Sequence, residues 1–385
     1  MSKILIAVLN TNVGGGITTS VMNLTRELCD RGHEVIFLDF AAHVPNESVS
    51  PKAKQIFLTG RARYFLLRKK DIQKAHAIKK PFVALLGLVK KATIKSGLWH
   101  KIIFKKLPDE YDVAIAFRQC APCYNFVLNK VKAKTKIGFV HGDVNYMDDI
   151  SSWQPQMERF DKIAYVSDAA KQNFIFKYPE LEKNAATVYN MFDFARMKAL
   201  ALDPCPILPD ENKKTILTVA RIDNATKQIH WIPQICAKLK EKGAPAFHWY
   251  VLGEGADLPR VKALAQELRV DDVLTFTGTI PNPYPMLRQA FLGVLTSKTE
   301  GYCMTVMENL ALGVPLVATR FTSITEQMTN GVQGLIADLS VEAVAEAVYA
   351  MLTNQNGIYE KCKANLSMQS YTNDVAYAQF MSMLS

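Results

Sequence analysis

Two glutamates, Glu300 and Glu308, stand eight residues apart in the stretch EGYCMTVMENLALGVP. The segment before them, FLGVLTS (291–297), reads as a buried strand, and MTVMENLAL (304–312) reads as a helix stopped by Gly313 and Pro315. Glu300 therefore lies in a loop after a strand, and Glu308 about one turn into the helix. The amides around Tyr302 to Val306 open that helix, and such an opening is an anion site. A carboxylate can accept from two vicinal hydroxyls, as on a ribose. Two carboxylates beside an anion site suit a ligand with hydroxyls on either side of a diphosphate. The plainer alternative is that Glu308 complements the helix dipole and Glu300 is a loop charge.

A second stretch, VARIDNATKQ (219–228), places Arg221 at a strand end and Lys227 where the next helix begins. A departing nucleoside diphosphate needs its charge neutralised, and two cations can do this in place of a metal. No DxD or HxxH is present, and the DD pairs at 148–149 and 271–272 read as turns. Neither metal nor cofactor is expected. Gly14, Gly15 and Gly16 precede the first helix, where small residues let a phosphate or sugar approach the backbone. GEG (253–255), with Gly253 first, is a similar strand-end turn. Neither is GxGxxG, and Asp39 alone could serve a dinucleotide ribose. His141, in FVHGDVN, ends another strand. It could donate to a substrate hydroxyl or stabilise charge, or it could be loop structure. Cys120 and Cys123 form a lone CxxC: a zinc site needs more ligands, a redox pair is open, and two core or loop thiols are the simpler reading.

The elements that must position these residues alternate. KILIAVL (3–9) reads as a strand, and NTNVGGG (10–16) as a loop. Ile17, Val21, Leu24 and Leu28 lie on one face of a helix. Gly32 and the strand EVIFLDF (34–40) complete a βαβ unit. Strands of the same kind follow at 112–117, 136–140, 162–167 and 186–190. After a proline-bearing stretch come others at 215–220, 247–253, 273–278, 291–297 and 315–320, with helices at 257–268 and 304–312. The fold class is α/β, with two doubly wound Rossmann-like domains facing across a cleft. The first domain covers 1–196, a linker 197–214 and the second domain 215–364. A final helix over 365–385 returns to the first domain.

The chain's 385 residues suffice for two domains, and its 49% hydrophobic content for two cores. The net charge of +10 is uneven: 51–106 holds 16 Lys and Arg against one acid, Asp71. Interleaved with Phe, Leu and Trp, this segment suits peripheral contact with an anionic membrane. Solvated helices with an apolar inner face are the alternative. No zinc finger, RRM or KH pattern supports nucleic acid. There is no signal-peptide pattern and no apolar run of about 18–20 residues, so a cytoplasmic protein is expected, peripheral on the inner membrane face.

Together these features resemble a family 4 glycosyltransferase of the GT-B fold, a retaining nucleotide-sugar enzyme. The family's E-x7-E element matches Glu300 and Glu308, and its G-x-P matches Gly313 to Pro315. VLGEG (251–255), VLTFTG (273–278), VAR (219–221), NMFD (190–193) and the N-terminal GG with RGHEV (31–35) also match. Only 45–110 is unplaced. The resemblance implies that Arg221 and Lys227 hold the diphosphate and stabilise its departure. Glu308 would hold the ribose and Glu300 the donor sugar's hydroxyls. The amides of Tyr302, Cys303, Met304 and Thr305 would lie beside the sugar and phosphates, and Gly253 would join the donor site. Gly16 would admit the diphosphate to its helix, and His141 would reach the donor sugar. The acceptor would attack the face from which the leaving group departs, so the leaving phosphate takes the proton and no general base is needed. Thr18, Asn309 and YCM (302–304) depart from the family's usual residues. The expected partners are a nucleotide-sugar donor, with UDP as the family's usual base, and a glycan or lipid-linked acceptor. A non-catalytic GT-B scaffold subunit and a UDP-sugar 2-epimerase are the alternatives.

Overall fold

The computed structural model describes residues 1–9, 11, 15–40, 42, 44–57, 107–147, 150–208 and 210–384. Gly14, the pair 148–149 and residues 58–106, which carry most of the basic segment, lie outside the described residues. The chain divides into two compact units. Unit one comprises 1–166, 171–192 and 374–385, and unit two comprises 167–170 and 193–373.

Unit one is built on β1 (Lys3–Val8), β2 (Glu34–Asp39), β3 (Lys54–Phe57), β4 (Glu110–Ala116), β5 (Lys132–Val140), β6 (Lys162–Tyr165) and β7 (Ala185–Thr187). All neighbours pair parallel, in the order β3-β2-β1-β4-β5-β6-β7. Ile4, Leu5, Ile6 and Ala7 are fully buried in succession, because a parallel sheet is covered on both faces and no residue of a central strand meets water. The helix Gly16–Asp30 covers the sheet with Val21, Leu24 and Leu28, as their spacing requires, while Ile17 is only partly buried. Gly32, at φ 86°, takes the left-handed conformation that follows the helix end.

Unit two is built on β8 (Lys214–Val219), β9 (Phe247–Leu252), β10 (Leu274–Gly278), β11 (Leu292–Leu295), β12 (Leu316–Thr319) and β13 (Gly334–Ala337). Their order is β10-β9-β8-β11-β12-β13, again all parallel. Trp249 is fully buried in this core. Its indole N–H donates to Thr218 Oγ1 at 3.1 Å, and Thr218 donates on to the Val294 carbonyl at 2.7 Å, so the buried polar groups are satisfied. In each sheet the strand order reverses once, between β1 and β4 and between β8 and β11. These are the switch points outside whose carboxyl ends ligands bind.

Two boundaries differ from the sequence reading. The stretch 197–214, read as a linker from its prolines, begins inside the helix Phe194–Leu200. Asp193 caps that helix by accepting from the Arg196 amide at 3.0 Å. Asn282 clamps its end with bonds of 2.9 Å to the Leu200 carbonyl and Asp203. The helix expected over 365–385 is two helices, Ile358–Met368 in unit two and Asp374–Ser382 in unit one, separated by 369–373. Within unit one Arg31 donates to Asp374 at 2.6 Å, Tyr377 bonds His33 at 2.9 Å, and Phe380 is fully buried.

Candidate active site

The turn after β8 carries Arg221. Two glycines of the neighbouring turn hold it in place. A Cβ at Gly253, which sits at φ 143°, would lie 2.0 Å from the Ala220 carbonyl oxygen. One at Gly255 would lie 1.9 Å from the Ile222 carbonyl oxygen. The backbones then bond directly, Ala220 N–H to Leu252 O and Ile222 N–H to Glu254 O, each at 3.0 Å. Gly253 thus positions the Arg221 turn. Asp223 organises the rest. It accepts from the Ala225 amide at 2.9 Å, the Thr226 hydroxyl at 3.1 Å and the Arg221 guanidinium at 2.8 Å. Burial alone would raise the Asp223 carboxyl, but these donors outweigh it and hold it below the usual range. The Arg221 side chain is 67% exposed.

Lys227 lies at the end of the same turn, and Gln228 after it takes φ 52°, a conformation that a side chain with Cβ adopts at a cost of about 1–2 kcal/mol. The loop after β11 braces this strained turn. Thr296 donates to the Lys227 carbonyl at 2.7 Å, and the Lys298 amide donates to the Thr226 carbonyl at 2.7 Å. Across this brace Lys227 Nζ and Glu300 Oε1 form an ion pair, and Ser297 donates to the same Oε1 at 2.7 Å. Burial would lower the Lys227 ammonium, but the Glu300 charge beside it raises it, so it stays cationic. Cation and carboxylate thus stand side by side at the switch point between β8 and β11.

The helix Met304–Ala311 follows. Gln327 fixes its entry by accepting from the Cys303 amide at 2.9 Å and donating to the Cys303 carbonyl at 2.8 Å. That amide is therefore engaged within the protein, and burial pushes the Cys303 thiol up to about 12. Thr305 donates to the Val219 carbonyl at 3.3 Å, which ties the helix start to the end of β8. Tyr302 and Met304 are half-buried on either side of Cys303. One turn on, Glu308 is buried and accepts from the Tyr284 hydroxyl at 3.3 Å. Burial raises its carboxyl to about 7, the tyrosine hydroxyl opposing. The helix lies close to β11 because Gly293 has no side chain: a Cβ there would be 2.2 Å from Asn309 Oδ1.

In unit one, Gly16 opens its helix behind Gly15, which sits at φ 137°. His141 follows β5. Its Nε2 lies 2.6 Å from the Phe117 carbonyl, and its ring centroid 4.5 Å from that of Phe117. Desolvation lowers the imidazole to about 4, the Phe117 carbonyl opposing and Arg118 adding to the fall. A carbonyl only accepts, so the Nε2 proton is committed and Nδ1 is left as an acceptor. The imidazole expected to donate to a hydroxyl thus offers the opposite function. Sequence reasoning also passed over Asp223, Tyr284, Ser297 and Gln327. Asp223, two residues after Arg221 and three before Thr226, had a readable turn signature. The other three reach the site only through tertiary packing.

Residues 205–368 match the family model described as Glycosyl transferases group 1. The chain carries a group 1 glycosyl transferase domain. This domain holds every site residue of unit two described above. Poly(glycerol-phosphate) alpha-glucosyltransferase of Bacillus subtilis (strain 168) is 22% identical over 204 residues, 52% of this chain and 29% of that protein. N-acetyl-alpha-D-glucosaminyl L-malate synthase of Bacillus anthracis is 24% identical over 206 residues, 52% of this chain and 51% of that protein. The matches span 29–38% of the length of the first three curated relatives. Among solved structures, a TarM mutant of S. aureus in complex with fondaparinux, alpha-GlcNAc-glycerol and UDP superposes with TM-score 0.71 at 12% identity, covering 100% of both chains. That likeness shows the GT-B fold around the group 1 domain. Among the described residues no group of three or more His, Cys, Asp or Glu side chains could hold a metal ion.

Proposed function

We propose that this chain transfers a sugar from a UDP-sugar to a glycan or lipid-linked acceptor with retention of the anomeric configuration. The observation that carries the reading is the Lys227–Glu300 pair at the β8/β11 switch point, with the buried Glu308 one helical turn beyond. Lys227 and Arg221 supply positive charge for the departing diphosphate, and their ammonium and guanidinium groups take the role a metal has elsewhere. Glu300, turned away from Lys227 by the incoming phosphate, accepts from sugar hydroxyls. Glu308, once ionised, accepts from a ribose diol. The leaving phosphate receives the acceptor's proton. The UDP in the TarM complex and the transferase names of the curated relatives support donor class and reaction type.

A thermal-shift panel of UDP, GDP and ADP with their sugar conjugates, with and without magnesium, tests the donor. A UDP ligand at about 100 times its dissociation constant stabilises by roughly 2.7 kcal/mol, so a shift with UDP alone, unchanged by magnesium, is the expected result. No shift with any nucleotide would favour the scaffold reading. Conversion of UDP-sugar without acceptor would favour the epimerase.

The basic segment 51–106 brings the enzyme to an anionic membrane surface in this reading. No helix among the described residues is long and apolar enough to cross a membrane. Co-sedimentation with phosphatidylglycerol vesicles at low salt, reversed by raised salt, is expected. Protein left in the supernatant at low salt would sink the membrane part alone.

A further inference from the structure

The switch point of unit one, between β1 and β4, carries a feature with no part in sugar transfer. After β4 the chain passes Phe117, Arg118 and Gln119 and enters the ten-residue helix Ala121–Lys130. Cys120 is its N-cap, in extended conformation at φ −161° and ψ 150°, and Pro122 stands in the first turn. Cys123 is fully buried in the core of unit one, whereas Cys120 is half-buried. Cys120 packs against the same buried core cluster that holds Cys123. Residues three apart on a helix have Cα atoms about 5 Å apart, inside the roughly 4.4–6.8 Å that a disulfide spans.

We propose that Cys120 and Cys123 form a redox-active dithiol that closes reversibly to a disulfide by exchange with a low-molecular-weight disulfide such as oxidised glutathione. The two sulfurs have distinct environments. At the helix N-terminus the Cys123 thiol and the nearby Arg118 charge lower the Cys120 thiol against the opposing effect of burial, and Cys120 is the less buried of the two. Burial holds the Cys123 thiol well above the usual range. Cys120 is thus the attacking thiolate and Cys123 the resolving thiol. The Cys120 thiolate displaces one glutathione thiolate and forms a mixed disulfide. Cys123 gives its proton to a released glutathione thiolate and attacks the Cys120 sulfur, which expels the second glutathione. Two protein thiols are oxidised by two electrons, and one glutathione disulfide becomes two thiols. Zinc is the other known use of CxxC, and no further ligand stands near enough among the described residues.

The test equilibrates the full chain in glutathione buffers of graded ratio, quenches with acid, alkylates free thiols and maps the peptides. Cys120 and Cys123 are expected to lose alkylation together, with a single midpoint, and to recover it in dithiothreitol. Cys205, also half-buried, donates to the Ile207 carbonyl at 3.0 Å and serves as internal control. Cys123→Ser is expected to stop the reaction at a glutathione adduct on Cys120. Two alkylatable thiols persisting at 120 and 123 in fully oxidised glutathione would overturn the proposal. A stable adduct on wild-type Cys120 would overturn it as well. The wild-type titration stands even where the core serine variant fails to fold.

Discussion

Lys227→Ala is expected to reduce sugar transfer by about 10²–10³-fold, the loss typical when one preorganised stabiliser of transition-state charge is removed. It should also destabilise the fold. Lys227 and Glu300 are only 21% and 13% exposed, so removing the ammonium leaves a nearly buried carboxylate without its partner. Breaking one side of such a pair costs about 3 kcal/mol. The two effects separate in the double variant. Lys227→Ala with Glu300→Gln removes both charges, and Ser297 can still donate to the amide oxygen. Urea unfolding should recover most of the stability, while transfer stays lost. Full transfer in the single variant would take Lys227 out of the reaction.

The second large effect belongs to Glu308. Its carboxyl titrates near 7 in the folded protein, against an ordinary value of 4.5. The folded form therefore holds a proton that the unfolded form has already released. The stability that Glu308 contributes is fully present below 4.5, falls as pH rises through 4.5 to 7, and levels above that, a total loss of about 3 kcal/mol. Glu308→Gln has no proton to lose. Relative to wild type its unfolding free energy should rise steadily between pH 5 and 7.5. Donor binding should move the opposite way. If, as proposed, a ribose diol donates to the ionised carboxylate, wild-type affinity for UDP by titration calorimetry should increase as pH passes 7, and the variant should lack that increase. Parallel stability curves for the two proteins would mean that solvent reaches the carboxylate and the argument fails.

The parallel α/β architecture was legible because central strands leave apolar runs without alternation, as in KILIAVL and FHWYVLG. Helix ends were legible through Gly32 and Gly313. β3 and β13 were not: KQIF is half polar, and GLIA follows directly on the turn-like run NGVQ (330–333). The stretch read as a linker starts too early because its prolines stand only from residue 204 on, after the helix Phe194–Leu200 has ended. At the site, the two carboxylates and two cations could be named from spacing and loop position. Their partners could not. That Lys227 faces Glu300, or that Gln327 seizes the Cys303 backbone, depends on loops 24 to 73 residues apart in sequence. The orientation of His141 depends likewise on the Phe117 carbonyl. Side-chain type gave the chemistry these groups could do, and packing decided which atoms remain available for it.

Unit one is made of two pieces of sequence, and Asp374–Ser382 lies far along the chain from the Arg31 and His33 side chains it meets. During synthesis, then, the first sheet can assemble early, but it waits for nearly the whole of unit two to emerge before its last helix arrives. Tyr377 and Phe380 fill places that stay open until then. A chain made only as far as residue 373 would hold an incomplete first unit with apolar surface uncovered, whereas unit two would have all of its residues. The order in which the units mature should be the reverse of the order in which they begin.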